Sequence, residues 1–268
     1  MRERSALGKN LTKVWAFALK NWLNSRRNVF TVFEVVFWPT VGVVSVGLMT
    51  RFLGLSGEMA AFVLIGTLAL SIIQVTQLDV AYALLFEMWG KSVKHQFLAP
   101  VSLWHVIVGS WLMGVLRGLA VFALLAGLSR WGFAFDFFAA GLAPLAAFLL
   151  GLFLTAALVG VVVMTFLLLF GLRAEVSAWS SVSLLLLLSG IYYPVSLLPP
   201  PLPAIAAWIP LTYFLDAFRA GYGFEPLFPS PLLRGFIASA AYLLLGYWGL
   251  TAAVGRARRV GTLLRLSE

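Results

Sequence analysis

Residues 189–221 read SGIYYPVSLLPPPLPAIAAWIPLTYFLDAFRAG, an apolar run broken by six prolines that follows a 13-residue uncharged stretch, 177–189. Each proline removes a backbone donor and obstructs the helix behind it, so no single helix can carry this run across a bilayer. Unpaired backbone in hydrocarbon is costly, which excludes a lipid-exposed loop as well. The segment must turn back as short helices shielded by protein or held at the interface. That predicts a re-entrant hairpin over 194–229, and with it a pathway.

The 268 residues are 62% hydrophobic and 11% charged, with mean hydropathy +0.98, far from the roughly 45–50% apolar composition of soluble globules. The expected fold class is all-α integral membrane. With no cysteine and two histidines, disulfides, thiolate metal sites and cysteine nucleophiles are excluded, so neither a catalytic nor a metal site is expected. Residues 1–27 alternate charged and apolar positions without the apolar core of a signal peptide, and are expected to stay on the chain. A net charge of +9 invites a nucleic-acid partner. The distribution of that charge argues for a membrane instead.

Six segments are long and apolar enough, at about 20 residues per crossing, to be spans: 29–52, 58–85, 104–128, 138–170, 177–193 and 231–255. With the N-terminus in the cytosol, fourteen of the 19 Lys and Arg lie inside, four outside and Arg117 within the third span. This satisfies the positive-inside rule. An even count keeps both termini cytosolic, so the 33-residue fourth segment is read as one helix with Pro144 as a kink site. Before the first span, Leu11, Val14, Trp15, Ala18, Trp22 and Leu23 recur at helical steps with Lys13 and Lys20 among them, the pattern of an interfacial amphipathic helix. The expected organisation is a cytosolic start with that helix (1–28), a six-span domain (29–255) and a basic cytosolic tail (256–268) of a multi-pass protein of the cytoplasmic membrane.

Ser189-Gly190, the aromatic pair Tyr192-Tyr193 before Pro194, then Leu198-Pro199, Pro210-Leu211-Thr212-Tyr213 and Arg219 resemble the C-terminal motif of type-2 ABC exporter permeases, the family of polysaccharide, lipid and drug exporters. The resemblance implies that a last cytosol-to-outside span is followed by outer re-entrant helices. It also implies a coupling helix on the cytosolic side, for which 86–102 is the candidate: Glu87, Gly90 three residues on, and the closing Pro100-Val101-Ser102 fit the family's pattern. Lys91, Lys94 and His95 make this loop more basic than the pattern. An ordinary juxtamembrane loop obeying the positive-inside rule is the competing reading of the lysines. No phosphate-binding glycine-lysine loop occurs in the chain. ATP and Mg are therefore expected in a separate cytosolic ATPase subunit, two copies of which would serve a permease dimer, with a homodimer favoured. An interfacial helix before the first span is a trait of the polysaccharide-exporting branch.

Three ionisable residues fall inside spans: Glu34, Asp79 and Arg117. Charges at membrane depth usually face the bundle or a wet cavity. Both acids sit about six residues, near 9 Å, inside the cytosolic end of their spans, and the Arg117 side chain points back toward that level. An Asp79–Arg117 or a Glu34–Arg117 pair follows, as a structural latch, a substrate contact or a proton relay. Gln74, Thr76 and Gln77 add polarity near Asp79, while Trp38, Tyr192 and Tyr193 stand where a pathway can run. Ser110, Gly114 and Gly118 form a small-residue stripe suited to packing within the chain or to a dimer contact. The expected function is export of an amphiphile, a lipid-linked polysaccharide, lipid or drug, driven by the ATPase partner. The alternative is a secondary transporter coupled through Glu34, Asp79 and Arg117.

Overall fold

Long apolar runs become long helices. The computed structural model describes residues 6–27, 29–93, 98 and 100–260, and every regular element among them is helical. The long helices are α1 (Ala6–Arg27), α2 (Val29–Phe52), α3 (Gly57–Trp89), α4 (Leu103–Phe133) and α5 (Leu142–Phe170). A 3-10 segment (Gly171–Val176) leads into α6 (Ser177–Leu188); then come α7 (Leu202–Ala206), α8 (Pro210–Ala220) and α9 (Pro231–Val260). Local chemistry sets the ends. The Ser56 hydroxyl accepts the Met59 amide at 3.3 Å to open α3, and α5 lies between Gly141 (φ 94°) and Gly171 (φ 71°), backbone that favours glycine. Pro210 occupies the first turn of α8, where its missing N–H costs nothing.

The central helix is α3, flanked by α2, α4, α5 and α6. Lipid tails are as apolar as leucine, so close packing rather than burial must hold such helices together. Gly114 and Gly118 lie so near Thr76 and Phe153 that a Cβ would collide, as one at Gly160 would with Val80. The small-residue stripe thus packs inside this chain. Hydroxyls in the bundle bond back to their own helix: Thr67 donates to Val63 O, Ser71 to Thr67 O and Thr155 to Gly151 O, at 2.8–2.9 Å.

Five stretches of the described residues are long and apolar enough to cross a bilayer: Val35–Phe52, Gly57–Trp89, Leu103–Phe133, Leu142–Leu188 and Pro231–Arg259. The expected fifth span, 177–193, is not one continuous helix. α6 has 12 residues, about 18 Å of rise, against a hydrocarbon core of about 30 Å. With the preceding six-residue 3-10 segment it rises about 30 Å. Its start is fixed by Gln77, whose Nε2 donates to Ala178 O at 3.1 Å. The expected fourth span is a single helix, and Pro144 sits in its first turn instead of at a kink.

One end of the bundle carries α1, the C-terminus of α3 and the start of α4; the other carries the proline-rich segment. At the first end, α1 lays Val14 and Ala18 against α4, where Gly109 makes room for its backbone, and turns Leu11, Trp15 and Trp22 outward. At the second end, the proline-rich run forms short helices as the sequence implies. Of these, α8 enters the bundle. Phe214 packs into the space left by Gly151 and Gly235, and Phe218 stacks on Phe148 with ring centres 4.2 Å apart. Gly151 lies nine residues into α5, about 14 Å from its start, and Pro210 begins α8 deeper still.

Candidate functional site

A cleft of about 640 Å³ opens between α2, α3 and α6, beside the C-terminal half of α1. On α3 its lining runs from Trp89 to Thr67, 22 residues and about 33 Å along the axis. Six aromatic side chains stand in the walls: Trp38, Tyr82, Phe86, Trp89, Trp179 and Tyr192. Asn21, Asn24 and Arg27 rim the α1 end, and Gln74, Asp79 and Arg117 supply polarity farther in.

Asp79 and Arg117 meet, as one of the two expected pairings. Arg117 Nη1 donates to Asp79 Oδ1 at 2.6 Å, with the carboxylate side chain 6% exposed. Asp79 Oδ2 is buried without a hydrogen-bond partner. The pair ties α3 to α4 and leaves one carboxylate oxygen without a hydrogen-bond partner. The other pairing involves the Glu34 side chain, which lies outside the described residues, as do Lys94 and His95.

Of the remaining expected pathway residues, Trp38, Gln74 and Tyr192 line the cleft. Gln77 and Tyr193 do not. Gln77, on α3, is fully buried against the start of α6, and the Tyr193 hydroxyl donates to Leu187 O at 2.6 Å. Pro194 belongs to a second, smaller cavity at the far end, Pro199 is exposed, and Pro210 is buried as the first residue of α8. Arg219 is buried and donates to Gly190 O (2.7 Å), Ile191 O (2.8 Å) and Phe62 O (2.9 Å). A Cβ at Gly66 would strike the Ile191 carbonyl and Arg219. Arg219 is therefore a staple between the proline-rich segment and α3.

At the α1 end, the Glu87 carboxylate is engaged by Lys20 of α1 and by the Ser92 hydroxyl. Glu87 is 13% exposed. Trp89 and Lys91 face outward there, Lys91 with a left-handed φ of 54° just past the Gly90 end of α3; Leu98 and Pro100 are exposed farther along. His105 is buried in the start of α4, its Nε2 3.1 Å from Asn10 Oδ1. Sequence reading missed Lys20, Asn21, Asn24 and Trp179, because only the docking of α1 and the turn before α6 bring them to these sites.

The family model described as ABC-2 type transporter matches residues 12–222, a region holding the whole cleft, the 86–102 segment and the proline-rich run 189–221. An uncharacterized protein of Archaeoglobus fulgidus is 39% identical to this chain over 57 residues, which cover 21% of this chain and 89% of that relative.

Proposed function

The chain belongs to the ABC-2 type transporter family, and from that premise we propose that it is the permease subunit of an ATP-driven exporter for an amphiphilic substrate. The cleft carries this reading. It follows α3 for about 33 Å, the thickness of a hydrocarbon core, and pairs aromatic walls with one buried ion pair near its middle. Such a surface suits a molecule with an apolar body and a polar head, whether lipid-linked polysaccharide, lipid or drug.

The α1 end faces the cytosol in this proposal, because its loops carry most of the basic residues. The 3-10 segment and α6 together make a sixth, broken crossing, and α8 dips back from the outer face as a re-entrant hairpin. The exposed aromatic face of α1 rests in the headgroup layer. Two ATPase subunits, holding ATP and Mg, dock on the 86–102 segments of two permeases, a homodimer. Gly90, Lys91, Lys94, His95 and Pro100 shape the docking surface, and Glu87 passes its movement to α1 through Lys20. Closure of the ATPases shifts α2, α3 and α6 and opens the route between permeases.

Co-purification followed by vesicle transport tests the proposal. A P-loop ATPase is expected to travel with this chain, and uptake of an amphiphile into inverted vesicles is expected to require it. Transport that survives removal of every such ATPase would overturn the reading in favour of a secondary transporter.

A further inference from the structure

Helix α1 carries five cations, Lys9, Lys13, Lys20, Arg26 and Arg27, and no acidic residue. They are ordered along it. Lys9, Lys13, Lys20 and Arg27 follow at steps of four and seven residues, which at 3.6 residues per turn puts them on one line about 27 Å long. Val14, Ala18, Asn21 and Ser25, at steps of three and four, make a second line that is buried, and Leu11, Trp15 and Trp22 make a third that is apolar and exposed. Among the described residues Lys20 pairs with Glu87, while Lys9, Lys13, Arg26 and Arg27 join no ion pair.

Three contacts fix how α1 lies. Asn10 meets His105, Val14 and Ala18 press on Gly109, and Lys20 engages Glu87. His105 and Glu87 stand two residues inside the ends of α4 and α3, and Gly109 six, so all three contacts fall within about 9 Å of one end of the bundle. A helix running along the bundle axis would descend about 15 Å between residues 10 and 20. α1 therefore crosses the bundle end, at the depth of about 5–10 Å where an in-plane helix sits in a leaflet.

We propose that α1 gathers anionic phospholipids of the cytosolic leaflet along its cationic line. A leaflet satisfies both outer faces at once: hydrocarbon takes Leu11, Trp15 and Trp22, and the long Lys and Arg stems reach the headgroup layer. Zwitterionic headgroups bring no net charge to four cations that the protein leaves without a carboxylate, and anionic headgroups do. The line ends at Arg27, which also rims the cleft, so the cleft mouth opens onto a leaflet patch enriched in negative charge. The inference rests on the interfacial seating of α1 and is independent of what the cleft carries.

The test places a fluorophore on Ala16→Cys, an exposed site on α1 in a chain with no native cysteine, with the full chain in phosphatidylcholine nanodiscs. Nitroxide-labelled phosphatidylglycerol or phosphatidylcholine is then titrated in as quencher. Phosphatidylglycerol is expected to half-quench at a mole fraction about fivefold lower, the worth of one fully engaged cation. At about 1 M salt, where the Debye length is about 3 Å, the two lipids should converge. Lys9→Gln/Lys13→Gln/Arg26→Gln should also erase the difference while leaving quenching by phosphatidylcholine unchanged, and the same label on Pro201→Cys at the hairpin end should show none. Equal quenching by both lipids in the wild type, a preference that persists in the triple variant or in high salt, or an equal preference at residue 201 would overturn the selection of anionic lipid. Quenching by neither lipid would instead remove α1 from the leaflet, and the interfacial reading with it. If the triple variant is not monodisperse, the salt titration decides.

Discussion

Replacing Arg117 with methionine is expected to destabilise the chain by about 3–5 kcal/mol, the cost of leaving a buried carboxylate without its counter-charge. Asp79 is 6% exposed, its Oδ1 is held by Arg117 at 2.6 Å and its Oδ2 has no partner among the described residues, so Arg117→Met removes the hydrogen bond and the counter-charge together. At about 2–4 °C per kcal/mol for chains of this size, the melting point falls by roughly 6–20 °C. The double variant Asp79→Leu/Arg117→Met replaces the pair with apolar groups, and is expected to return to within about 1 kcal/mol of the wild type. Thermal unfolding in nanodiscs of fixed lipid composition measures both, and transport is assayed on the same preparations. A stable double variant that still transports makes the pair a latch; a stable but inactive one makes it a substrate contact. An Arg117→Met protein melting within about 2 °C of the wild type would refute the ion-pair argument.

Glu87→Lys is expected to break the link between α1 and α3 and to uncouple ATPase turnover from transport, while the swap Lys20→Glu/Glu87→Lys restores coupling; transport per ATP hydrolysed, at matched complex yield, decides. Gly66→Val is expected to abolish stable folding, because its side chain meets the Ile191 carbonyl and Arg219; Gly127→Ala, which meets open space, should stabilise by up to about 1 kcal/mol. Monodisperse yield and melting temperature compare the two, and a well-folded Gly66→Val would remove the staple from the account. A cysteine at Pro201, exposed at the hairpin end in a chain without native cysteine, should react with an impermeant thiol reagent added outside intact cells. Labelling only after the inner face is opened would invert the proposed topology.

The long spanning helices were legible because each is a long, predominantly apolar run, and α2 through α5 and α9 fall within a few residues of their expected limits. α6 was not. Hydropathy registers the apolar residues of 177–193 and cannot register that Gly171 turns the chain into a 3-10 segment first. The Asp79–Arg117 contact was open to reading, since side-chain direction along a helix places the two heads at one level. Lys20 with Glu87 was not, because 67 residues separate them and no pattern specifies how an interfacial helix docks. The second cavity was equally hidden: Ser189, Asp216 and Arg219 share it only after the proline-rich run has folded.

The Arg219 staple also bears on how the protein is made. Its acceptor on Phe62 is synthesised 157 residues earlier, so α3 must wait with the groove at Gly66 empty until Arg219 has been made. The guanidinium can leave water only when the Gly190, Ile191 and Phe62 carbonyls are already assembled. Docking of the proline-rich run is thus the step that fills the groove at Gly66, and it leaves α9 still to pack against α5 and α8.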